Sequence, residues 1–98
     1  MPFAAGGPID TTTRIFADKI KDTLGQPIIV ENVGGAAGSL AAGRVAKAAP
    51  DGYTLMTGIW GTHVANGAIY RLDYDVQKDF VPVSLVSSNP LLIVASKK

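Results

Sequence analysis

The sequence predicts an α/β fold, a mainly parallel sheet with helices on both faces, formed by a single α/β domain over residues 1–98. Three observations predict it. Short apolar runs rich in β-branched residues alternate with stretches whose apolar residues recur at helical spacing. A glycine-containing turn separates run from helical stretch three times over. Apolar residues make up 47% of the chain and charged residues 17%, as expected of strands covered on both sides. Strand, turn and helix in that order build parallel strands with right-handed crossovers.

The elements follow in order. Pro2-Phe3-Ala4 reads as the tail of a strand, broken by Gly6-Gly7-Pro8. Asp10 and Thr11 to Thr13 offer capping oxygens, and Ile15, Phe16, Ile20 and Leu24 continue at helical spacing, so a helix is expected from about Asp10 to Leu24. Gly25 is its stop and Pro27 prevents continuation. Ile28-Ile29-Val30 is a buried strand, and the second turn runs from Glu31 to Ser39. An Ala-rich helix follows from about Ser39 to Ala49, closed by Pro50-Asp51-Gly52. Tyr53 to Thr57 is a strand, Gly58 to His63 the third turn, and His63 to Tyr70 a short helix. Leu72 to Phe80 is irregular, with one turn around Val76 to Asp79. Val81 to Val86 is a strand that Pro82 marks as starting or edge, and Leu91 to Ala95 is the last strand.

Charge and motifs exclude several classes. The formal net charge is +1, and the basic residues are scattered without interleaved aromatics, so no nucleic-acid partner is expected. There is no cysteine, hence no disulfide and no thiolate metal site. No apolar run approaches the roughly 18 residues of a membrane span. Gly34-Gly35-Ala36-Ala37-Gly38 lacks the spacing of a dinucleotide turn, and no Walker A pattern is present. Gly38-Ser39-Leu40 is not a nucleophile elbow, and His63, the sole histidine, has no local triad partner. Asp73, Asp75 and Asp79 do not fit a calcium loop. No catalytic residue, metal site or cofactor is expected.

What remains is the turns. In the expected sheet all three leave the carboxyl ends of parallel strands, the edge where open α/β sheets bind ligands. Helix N-termini there suit a carboxylate or phosphate. The candidate ligand-binding residues are Phe3, Ala4, Ala5, Gly6, Gly7, Pro8 and Asp10 in the first turn. In the third they are Thr57, Gly58, Trp60, Gly61, Thr62 and His63, with Ser87 and Ser88 at the end of the fourth strand. The N–H groups of Gly6 and Gly7 are expected to meet one carboxylate. Asp10, whose charge repels an anion, either caps the helix or binds an amino or hydroxyl group.

Several blocks carry a resemblance over essentially the whole chain: Pro2 to Asp10, Leu24-Gly25-Gln26-Pro27, Val30-Glu31-Asn32, Lys47 to Leu55 with its Ala-Ala-Pro-Asp-Gly-Tyr-Thr-Leu core, Gly61-Thr62-His63, and Lys78 to Val86. In these the sequence resembles the substrate-binding proteins of tripartite tricarboxylate transporters, the Bug receptors, and specifically the N-terminal part of their first lobe. The resemblance implies a partial periplasmic-binding-protein type II lobe. It also implies a non-enzymatic, periplasmic receptor for a small carboxylate, delivering its ligand to membrane transporter subunits. It assigns the carboxylate to the first βα turn and to Gly61-Thr62-His63.

The sequence departs from that pattern at both ends. Set against the resemblance, the residues given are expected to lack the signal peptide and the second lobe, and a cytoplasmic location is left open for the chain as it stands. A sheet lacking its first strand leaves an edge, so self-association by strands near Val81 to Ala95 is expected. Two other readings stand beside the receptor: a small phosphate- or nucleotide-handling α/β enzyme, and a non-binding oligomeric remnant.

Overall fold

Helix α1, Pro8–Leu24, is the longest element of the computed structural model, which describes residues 1–96. Pro8 starts it because a proline at the first helical position lacks only an N–H that would be unpaired anyway. Gly25 ends it in the left-handed conformation at φ 67°, the stop expected from sequence. The start differs from the expectation. Gly7 is the N-cap and no side chain caps it; the Thr11 and Thr12 hydroxyls instead donate to the carbonyls of Gly7 and Pro8 at 3.1 and 2.9 Å.

The face that α1 turns inward is Asp10, Thr13, Ala17 and Ile20, at helical spacing. Ile15, Phe16 and Leu24, expected on the covered face, stand exposed. Helix α2, Ser39–Ala46, is entered through a 3-10 turn at Ala36–Gly38 and buries Ala41, Ala42 and Gly43. It ends three residues sooner than expected. A π-helical turn at Gly61–Ala65 leads into helix α3, Asn66–Ile69.

The segment after α3 holds these helices together. A β-carbon on Gly43 would stand 3.3 Å from Asp73 Oδ1 and 3.4 Å from the Tyr74 ring, and one on Gly67 3.2 Å from Val76. Small residues on α2 and α3 thus let residues 73–76 lie against both. Lys47 pairs with Asp73 beside that contact. Phe80 closes it, meeting Tyr74 and His63 edge-on at 5.8 and 5.0 Å.

The mainly parallel sheet is not observed. Among the described residues there is no strand, and the order is helices joined by extended and turn segments. The runs at Pro2 to Ala4, Ile28 to Val30, Tyr53 to Thr57, Val81 to Val86 and Leu91 to Ala95 form no ladder with one another. One main-chain bond links the first two regions, Val33 N–H to Met1 O at 2.9 Å.

The physical reason is coverage. A parallel strand is stable when both faces are buried, whereas Val81 is 85% and Leu92 86% exposed here. The buried apolar side chains are Pro2, Ala17, Ala41 and Ala42, too small a set to seat a sheet. The accessible surface is 7820 Å², against about 5,300 Å² for a folded monomer of this mass. The radius of gyration is 14.7 Å, against about 13 Å for a compact domain of this length. The apolar runs were written for a core that these 98 residues alone do not complete.

Candidate functional site

A buried carboxylate sets the first turn. Asp10 is 2% exposed and accepts from three donors. Its Oδ2 takes the Gly6 N–H at 2.8 Å and Arg14 Nε at 2.9 Å; its Oδ1 takes Asn32 Nδ2 at 2.9 Å. Arg14, followed by the Gly6 amide and Asn32, holds the Asp10 carboxyl far below the usual carboxylate range. Asn32 also donates to Phe3 O at 3.0 Å and accepts from Arg14 at 2.8 Å, so it fastens the second connection to the first turn. Of the alternatives left open for Asp10, the bond to Gly6 is a helix-start role.

That bond overturns one expectation. The Gly6 N–H is taken by Asp10, and the Gly7 N–H lies 3.4 Å from Ala4 O, so neither is an open anion donor.

The second turn closes on the other two through a glycine. Gly38 lies at φ +87°, and a β-carbon there would stand 2.6 Å from Thr62 Cγ2 and 2.9 Å from Pro2 Cβ. Ala36 and Ala37 beside it sit at φ 48° and 52°, a region that costs L-residues energy and persists only where the surroundings enforce it.

The third turn is built on Thr62, 1% exposed. Its Oγ1 accepts the Ile59 N–H at 3.0 Å and lies 3.0 Å from Ile59 O and 2.8 Å from His63 Nδ1. Burial pushes His63 below its ordinary value, so the ring is neutral at pH 7. A β-carbon on Gly58 would overlap that ring. Thr57 meets the Thr13 hydroxyl at 3.1 Å and ties the turn to α1.

These turns enclose an open cleft of about 510 Å³ lined by Pro2, Phe3, Ala4, Gly34, Gly35, Ala37, Gly38, Ile59, Gly61, Thr62 and Asn66. The three glycine-containing turns do converge, though not as the edge of a sheet. Of the residues singled out from sequence, Phe3, Ala4, Gly61 and Thr62 line the cleft. Gly7, Asp10, Thr57, Gly58 and His63 are not in the lining but make the turn contacts given above, and Ala5, Gly6 and Pro8 are exposed outside it. Trp60, 58% exposed, and the exposed Ser87 and Ser88 do not line it.

Sequence reasoning missed Asn32, Ile59 and Asn66 and undervalued the second turn. Its glycines were a usable signal; a single asparagine carries none.

The lining contains no charged side chain. An anion there would be met by dipoles, as at other main-chain anion sites. Among the described residues, the main-chain amides of Phe3, Ala4, Gly34 and Gly35 have no protein acceptor. No group of three metal-ligating side chains occurs among the described residues, and no helix there is long and apolar enough to cross a membrane.

The family model for the tripartite tricarboxylate transporter family receptor matches residues 12–98. The chain belongs to this receptor family. It is 45% identical over 97 residues to the UPF0065 protein in the TAR-I ttuE-ttuC' intergenic region of Agrobacterium vitis, covering 99% of this chain and 28% of that protein. To Protein BugT of Bordetella pertussis it is 39% identical over 100 residues, covering 100% of this chain and 31% of that one. Among solved structures it superposes on MatC from Rhodopseudomonas palustris with bound malate, with a TM-score of 0.82 and 55% identity over 87% of this chain and 29% of MatC. This family chain thus spans less than a third of the length of the relatives it matches.

Proposed function

We propose that this chain forms part of an extracytoplasmic solute receptor and contributes the turns that recognise a small carboxylate for a tripartite tricarboxylate-type transporter. One observation carries the reading. A region that is 55% identical to malate-bound MatC, at a TM-score of 0.82, holds a cleft where three small-residue turns meet. The chemistry agrees: an uncharged lining with free main-chain amides suits a small carboxylate better than a large polyanion. In this reading Phe3, Ala4, Gly61 and Thr62 touch the ligand, and Asp10, Gly58 and His63 hold the turns in place. Binding, not turnover, is the activity, the periplasm is its compartment, and membrane subunits receive the ligand.

Isothermal titration of the chain with L-malate, succinate, citrate, benzoate and phosphate, with sodium chloride as control, tests the proposal. Saturable heat with one or more of the organic acids and none with phosphate or chloride supports it. No response to any of the acids overturns carboxylate recognition by this chain.

A second copy of the chain is a further partner in this reading. The surface in excess of a compact monomer is about 2,500 Å² per chain, so a dimer covering it on both copies would bury about 5,000 Å², the size of large permanent interfaces. The exposed apolar segment Val81 to Val94 contributes to it.

A further inference from the structure

Asn66 is the one side-chain amide lining the cleft, and it is 4% exposed. Both of its N–H groups are committed, to Ala37 O at 2.9 Å and to Ser39 Oγ at 3.0 Å. Those two bonds fix the plane of the amide and leave Oδ1 as its uncommitted atom. Oδ1 has no protein donor among the described residues, yet Tyr74 Oη is the buried side-chain oxygen there that is both sealed from solvent and unpaired. Oδ1 is therefore not sealed from solvent, and Asn66 is one of the residues that line the cleft.

An oriented amide oxygen can only accept. A carboxylate cannot donate to it at neutral pH, so its complement is a different group on the ligand. An ammonium would want a counter-charge, and no acidic side chain lines the cleft, Asp10 being engaged with Arg14. A neutral donor fits, and a hydroxyl is the smallest.

We propose that Asn66 Oδ1 accepts a hydrogen bond from a hydroxyl on the ligand, so that the cleft selects hydroxy-carboxylates over the corresponding unsubstituted acids. The inference rests on the carboxylate reading above and deepens it. L-Malate and succinate differ by one hydroxyl and isolate its effect. One neutral hydrogen bond in a half-open site corresponds to about a threefold to tenfold preference for malate.

Two measurements test this. In titrations of the chain, malate is expected to bind threefold to tenfold more tightly than succinate. In Asn66→Ala that ratio is expected to fall to about one, whatever change in affinity the two acids share. Because Asn66 also anchors the second turn and the variant could fail to fold, the wild-type chain supplies an independent readout. The Asn66 side-chain ¹⁵NH₂ resonances, assigned by their loss in the variant or through their neighbours, should shift with malate and stay in place with succinate. Equal affinities for the two acids, or equal shifts at Asn66, would overturn the role of Asn66 and leave the carboxylate reading intact. Binding of neither acid would overturn both.

Discussion

Asp10 organises its surroundings by charge. Arg14 and Asn32 are side chains from different parts of the chain that reach one carboxylate, and the Gly6 amide joins them. With its folded value held well below the usual carboxylate range, this group contributes stability at pH values above about 4. That contribution fades as the pH falls below about 4, where the unfolded chain takes up the proton first, and it is gone once the folded carboxyl protonates as well. His63 adds a separate window. Its folded value is lowered by burial, so the unfolded chain takes up a proton first as the pH falls through about 6.5, and stability declines from there. Denaturation followed from pH 8 to pH 2 should show both declines. Asp10→Asn should shrink the lower one, to which Asp73 and Asp75 also contribute, and leave the upper one. His63→Gln should do the reverse.

Glycines give a sharper comparison at the same scale. Gly38 and Gly52 both have positive φ, but only at Gly38 would a β-carbon meet neighbours, Thr62 and Pro2. Gly52→Ala should cost about 1 kcal/mol from backbone strain alone. Gly38→Ala should cost about 1–3 kcal/mol more from overpacking, read from paired urea titrations.

At the scale of elements, what sequence could disclose depended on whether the cause was local. The Gly25 stop of α1 was legible because a left-handed C-terminal residue is a property of glycine itself. The glycine-containing turns were legible for the same reason, and two of the residues picked from the third, Gly61 and Thr62, line the cleft. Asp10 was legible from sequence without its partner Asn32, because the fold brings that side chain to it from 22 residues away. The strands were misjudged for a physical reason. Val81-Pro82-Val83 and Leu91 to Ala95 have strand composition, but pairing and coverage come from elsewhere, and the exposed runs stay unpaired. Ala36 and Ala37 mark another non-local effect, since alanine does not choose the left-handed region by itself. Ala37→Gly should raise stability by about 1 kcal/mol, measured by denaturant unfolding. No change there would mean that the turn's conformation is held without strain.

For the whole molecule, the central fact is unburied apolar surface. A chain measuring 55 × 28 × 21 Å whose buried apolar side chains are Pro2 and three alanines does not resemble a closed domain. It resembles a segment of a receptor about three times as long, as its 28% and 31% coverage of its relatives states numerically. We propose that, alone in solution, such a surface draws in another copy. Light scattering coupled to gel filtration should show a dimer or larger species at micromolar concentration. Replacing Val83 and Leu92 by lysine should move the chain toward monomer, and a monomer from the unaltered chain would remove self-association from this description.

The most direct test of the central claim, that three converging turns form a carboxylate site, is a ¹⁵N-resolved NMR titration of the chain with L-malate at constant ionic strength. Saturable shifts are expected at Phe3, Ala4, Gly34, Gly35, Gly61 and Thr62, with Lys21 and Gln26 at the far end of α1 unmoved. Shifts at Lys21 and Gln26 with the three turns silent, or no saturable shift at all, would contradict it.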